Sequence, residues 1–144
     1  MKSGLQDLVD AMPELKTASI NTKLKVLNAD GSAEVEAWVV DDVGKNMIPK
    51  KTLLSGVAVS SKAKVYDMMK DPKDDFEKAF TLQYDSGEDF DMSHPEIRSM
   101  IDFLQTQSTI TSDEATGIKR MGERKKSKAE EIFGTKLTLE DFKE

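Results

Sequence analysis

No cysteine occurs in this chain, and that single absence removes disulfides, thiolate zinc sites and cysteine nucleophiles together. A reducing compartment fits it. Aromatic residues are scarce as well: six Phe, two Tyr and one Trp in 144 residues leave few large side chains for a core. One modest domain, alone or with a small appendage, is expected. No stretch approaches the ~20 apolar residues of a membrane span. Met1-Lys2-Ser3-Gly4-Leu5 leads into Asp7 and Asp10 without the apolar run of a signal peptide. The expectations are no membrane contact and a cytoplasmic origin.

Catalytic signatures are missing too. His94 is the only histidine, and it precedes Pro95 at an expected helix start, where a local role outweighs acid–base chemistry. A Ser–His–Asp triad would need a strained nucleophile turn that the sequence lacks. The eight glycines are scattered, so no Gly-rich loop cradles a phosphate. A carboxylate-only hydrolase stays open, because paired acids need only the right separation in space. The expectation is nonetheless a protein that is not an enzyme and carries no cofactor. An excess of positive charge is absent: the net charge is −6, opposite to the counterion-releasing surface of a general polyanion binder.

Eight Met are many for this length; most are expected to fill the core, and some to serve an adaptable contact surface. Leu5, Leu8, Val9 and Met12 follow helical spacing up to Pro13, giving an N-terminal helix or arm over 1–19. The period then changes. Leu24 and Val26 alternate with Lys23 and Lys25, Asn28 to Ser32 supply turn residues, and Val35, Ala37 and Val39 alternate with Glu34, Glu36 and Trp38. Apolar residues at every second position around Asp30-Gly31 predict an antiparallel hairpin. Trp38 falls on the face opposite Val35 and Val39, which makes it a candidate interface residue. Met47-Ile48, Leu53-Leu54 and Val57 to Val59 could extend the sheet or pack beneath it. Two helices complete the segment 20–87, one capped by Ser61 and carrying Val65, Met68 and Met69, the next capped by Asp71 with Phe76, Ala79, Phe80 and Gln83 or Tyr84 along one stripe.

The clearest pattern lies in 88–144. Ser93-His94-Pro95-Glu96, Thr111-Ser112-Asp113-Glu114 and Ser127-Lys128-Ala129-Glu130 each read as a capping box, and Thr138-Leu139-Glu140-Asp141 is a weaker version with Asp. Behind the first, Ile97, Met100, Ile101 and Leu104 repeat at one helical face. Ala115, Ile118 and Met121 follow the second, with Gly122 as its stop; Ile132 and Phe133 follow the third, with Gly134 as its stop. The fold expected from these patterns is α+β: a small antiparallel sheet within 20–59, then a C-terminal bundle of short helices.

Residues 90–142 resemble the C-terminal part of small proteins of tailed bacteriophages, a family without an assigned task. The matching positions are Ser93, Pro95, Ile97, Arg98 and Met100, then Thr111, Glu114 and Ala115. Ser127, Ala129, Glu130, Glu131 and Gly134 come next, then Thr138 and Asp141. Lys125-Lys126 are more basic than that pattern. The resemblance implies phage origin, with the host cytoplasm or the virion as location and other phage proteins or a homo-oligomer as partners.

Two further constellations remain. Lys119, Arg120, Arg124, Lys125, Lys126 and Lys128 form a basic run that could meet phosphates in a helix-turn-helix-like arrangement. Glu130 and Glu131 in the following helix favour a solvated loop, or a docking surface in which Lys125 and Lys126 are candidate interface residues. Asp85, Asp89, Asp91 and Glu96 fall at positions 1, 5, 7 and 12 of a calcium loop, but Gly87 at position 3 and Phe90 at position 6 break it. No metal is expected. The leading functional expectation is a phage structural or assembly protein acting through protein–protein contacts; the alternative is a small phage regulator binding nucleic acid through residues 119–128.

Overall fold

A computed structural model describes residues 1–144. The architecture is α+β and dominated by helices: α1 (Leu5–Asp10), α2 (Ile20–Leu27), α3 (Lys50–Leu53), α4 (Val59–Lys70), α5 (Asp75–Ser86), α6 (Pro95–Thr106), α7 (Ser112–Arg120) and α8 (Lys128–Phe133). Short 3-10 turns occupy Pro13–Leu15 and Leu139–Phe142. Four short strands, β1 (Trp38–Val40), β2 (Met47–Ile48), β3 (Phe90–Asp91) and β4 (Glu123–Lys125), form two separate two-stranded sheets, β1 with β4 and β2 with β3. The second is antiparallel, with Met47 opposite Asp91 and Ile48 opposite Phe90. No helix is long and apolar enough to cross a membrane.

The expected hairpin over 23–39 does not form. Residues 23–27 belong to α2, whose Ser19 cap accepts the Thr22 N–H at 3.2 Å. Ile20, Leu24 and Leu27 supply a helical i, i+4, i+7 spacing, and four alternating residues cannot distinguish that period from a strand. Gly31 keeps the positive φ expected of it, at 81°, but its N–H donates to the Lys125 and Lys126 carbonyls rather than closing a hairpin. Each strand instead pairs with a partner far along the chain.

The chain forms two compact units, residues 1–39 with 124–144, and residues 40–123. These replace the segments 1–19, 20–87 and 88–144: the C-terminal helices belong partly to one unit and partly to the other. The unit of 1–39 and 124–144 buries Leu5, Val9, Leu15, Leu27, Ala129, Leu137 and Phe142 in one core. There Asn28 clamps Leu137 through both of its backbone groups, accepting from the N–H at 2.8 Å and donating to the carbonyl at 2.9 Å.

The contiguous unit of 40–123 has its own core. Val65, Phe80, Phe90, Met92, Ile101 and Leu104 are almost fully excluded from solvent there, with Phe80 and Phe90 tilted at 5.6 Å between centroids. The Leu53, Leu54 and Val57 group packs into this core from α3 and the turn after it. Met100, Ile101 and Leu104 line the buried face of α6, with Ile97 packed at its margin. Gly122 ends no helix by a left-handed conformation; it is buried against the Met92–Ser93 backbone, where a Cβ would sit 2.9 Å from the Ser93 amide nitrogen, too close for any side chain.

Helix starts follow the boxes in part. Thr111/Glu114 and Ser127/Glu130 close reciprocal capping boxes. At the last, Asp141 accepts the Thr138 N–H at 2.7 Å and heads a 3-10 turn. The first box fails: Ser93 is buried, and His94 caps α6 by accepting the Glu96 N–H on Nδ1 at 3.1 Å. Asp74 rather than Asp71 caps α5, accepting the Glu77 N–H at 2.9 Å. Helix α4 starts after Ala58 with no side-chain cap of its own. Glu114 supplies what is missing, accepting the Ala58 N–H at 2.7 Å and the Ser61 hydroxyl at 2.6 Å.

Candidate functional site

The basic run is threaded with carboxylates. In the unit of 40–123, Lys119 lies 2.6 Å from Asp102 and Arg120 lies 3.9 Å from Glu123. In the other unit, the Arg124 guanidinium takes both oxygens of Glu130 at 2.7 Å each, a bidentate fork. Lys128 meets Glu34 at 2.9 Å and Glu131 at 3.4 Å. Lys125 is exposed, its ammonium 5.7 Å from the centre of the half-buried Trp38 ring, within cation–π range. Lys126 is half-buried, and its N–H donates to the Ala37 carbonyl at 2.8 Å. The structure thus brings Trp38 and Lys125 together, with Lys126 next along the chain and its side chain beside Gly31 to Ala37 in a polar recess of ≈ 200 Å³.

These pairings set the local ionisation. The Arg124 guanidinium holds Glu130 down at about 2 against the opposing effect of burial, helped by the Ser127 N–H and hydroxyl. The Val35 N–H lowers Glu131, and Glu34 raises Lys128. Glu114 is lowered to about 2, first by the Ser61 hydroxyl and then by the Thr111 and Ala58 N–H groups. Glu114, Glu130 and Glu131 are structural carboxylates whose oxygens are already engaged.

Asp91 accepts the Gly44 N–H at 2.8 Å and the Ser93 N–H at 3.1 Å. No three His, Asp or Glu side chains converge in a way that could hold a metal ion.

A different surface stands out between α5 and α6. Phe76, Ala79, Leu82, Gln83 and Ser86 fall on one side of α5, and Glu96 and Met100 face them from α6. Two adjoining recesses of ≈ 270 Å³ and ≈ 450 Å³ share Ala79, Glu96 and Met100. Phe76 stacks on Phe103 at 5.0 Å yet stays 42% exposed, and Leu82 is 73% exposed. Asp75, Glu88 and Glu96 supply carboxylates at the margins, and the lining contains no cation.

The chain matches no family model, no curated protein and no solved structure.

Sequence reasoning missed this groove. The stripe read on α5 was Phe76, Ala79, Phe80 and Gln83 or Tyr84; Phe76, Ala79 and Gln83 line the groove, whereas Phe80 turns inward and Leu82, outside that stripe, sits apart as an isolated apolar residue among polar neighbours. That isolation was the available signal. The second role of Glu114, as an acceptor for α4, had none, because Ala58 and Ser61 lie more than fifty residues upstream.

Proposed function

We propose that this chain is a non-enzymatic bacteriophage structural or assembly protein that works through protein–protein contacts. The observation that carries this reading is the α5–α6 groove, where the exposed Phe76 and Leu82 of α5 flank an apolar floor of Ala79 and the buried Met100, edged by acids. Contiguous apolar surface with a polar rim is characteristic of protein contact sites. The phage-like spacing of residues 93–141 supports the origin. Trp38 with Lys125 and Lys126 offers a second, smaller contact candidate in the other unit. The nucleic-acid alternative loses support because Lys119, Arg120, Arg124 and Lys128 each have a carboxylate partner, leaving little free charge to displace counterions.

The test is mass spectrometry of purified particles and of assembly intermediates from the phage whose genome carries the gene. The chain is expected in at least one of the two. Its absence from both would overturn the structural or assembly reading.

A further inference from the structure

We infer that the α5–α6 groove receives helix α4 of a second copy of this chain, in head-to-tail order. The inference rests on the reading above that the groove is a protein contact. The two most exposed large apolar side chains of the molecule are Val59, at 82%, and Leu82, at 73%. Both belong to the unit of 40–123. The α4 helix and the groove lining carry charges of opposite sign, although Lys78 lies one turn before Leu82 on α5. Val59 opens an outward stripe on α4 formed with Ala63 and Lys70, and with Tyr66, whose side chain also hydrogen-bonds Tyr84 of α5; all four are exposed, at i, i+4, i+11 and i+7. Helix α4 carries Lys62, Lys64 and Lys70 against the single Asp67. Leu82 stands beside a groove holding Asp75, Glu88 and Glu96 and no lysine or arginine.

An apolar stripe among lysines fits an apolar groove among carboxylates, both by burial and by charge. The inner face of α4 is already committed, since Ser61 and Val65 are buried, so only the outward stripe is available to a partner. Other helices fit less well. Helix α8 exposes Ile132 but begins with Glu130 and Glu131, which the groove would repel. Helix α2 is basic, yet its exposed Ile20 and Val26, at 44% and 37%, offer much less apolar surface than Val59. Because stripe and groove are different patches on one body, the contact is heterologous: each copy keeps one free stripe and one free groove, and assembly continues to a ring or a filament.

Sedimentation of the full chain tests this. The weight-average mass is expected to rise with concentration above the 16.0 kDa of the monomer, and to fall back when salt is raised to about 0.5 M, where surface charges are screened. Leu82→Asp disables the groove, and Lys62→Glu/Lys70→Glu disables the stripe; all three positions lie outside the core, and circular dichroism confirms that both variants fold. Each variant alone should remain monomeric. Mixed one to one, they should form a dimer and nothing larger, since one intact groove meets one intact stripe and extension is blocked. A wild-type chain still monomeric near 1 mM, where even a weak contact registers, would overturn the inference. A mixture that stays monomeric, or variants that associate like wild type, would do the same. Detection of the chain in particles alongside any of these failures would leave the protein-contact function standing and remove only the self-association.

Discussion

Replacing Glu114 with Gln removes one negative charge at a point where two helices begin. The carboxylate accepts the Thr111 N–H at 2.9 Å for α7, and the Ala58 N–H at 2.7 Å and Ser61 hydroxyl at 2.6 Å for α4. Hydrogen bonds to a charged group contribute about 1.5–3 kcal/mol where water is excluded. Glu114 is half-buried, so solvent weakens them, and the amide retains one acceptor oxygen; a loss of about 1–2 kcal/mol follows. On a chain of this size that lowers Tm by about 3–8 °C. The pH dependence carries the sign. The folded carboxyl titrates at about 2, below its ordinary 4.5, so the folded state holds the ionised form more tightly than the unfolded state does. Its contribution is complete above pH 4.5 and disappears as pH falls towards 2. Thermal or urea denaturation of both proteins should therefore show the full difference at neutral pH and near-coincidence at about pH 2. Equal stability at neutral pH, or a gap unchanged in acid, would refute the two-helix role of this carboxylate.

Three other outcomes follow from the same geometry. Gly122→Ala forces a Cβ against the Met92–Ser93 backbone and should cost about 1–3 kcal/mol in urea denaturation, as overpacking does. A fragment of residues 40–123, being contiguous and holding its own core, should give a helical far-UV circular dichroism spectrum with a cooperative melt, whereas residues 88–144 alone should melt without cooperativity. In fluorescence anisotropy the intact protein should show no retention on an unspecific DNA duplex at about 0.15 M salt; micromolar binding abolished by Lys125→Glu/Lys126→Glu would restore the nucleic-acid reading.

Much of the C-terminal half was legible in the sequence because its signals are local. The Ile97, Met100, Ile101 and Leu104 stripe packs at the core of 40–123, and the boxes at Thr111/Glu114 and Ser127/Glu130 form between residues three apart. The α+β class is borne out, although its strands are not those of the expected hairpin. What escaped depends on distant partners. The sheets pair β1 with β4 and β2 with β3, so neither register was visible in a local window, and the short alternation at 23–26 suited a helix as well as a strand. Ser93 lost its capping role because α6 starts one residue later than the box implies, so His94 occupies the cap position and the Ser93 hydroxyl meets the Asn46 amide instead. The division into units was hidden similarly, since residues 124–144 pack with residues 1–39 across a separation that composition does not reveal.

The central claim is that the α5–α6 groove is covered by a protein partner during phage assembly. Site-specific photo-crosslinking tests it directly: a benzophenone side chain is placed at position 82, and for comparison at the exposed Lys16, and infected cells are illuminated while particles form. The account predicts adducts at position 82, identified by mass spectrometry as this chain or another phage structural protein, and none above background at position 16. Absence of adducts at position 82, with the crosslinking chain present at wild-type level, would contradict it.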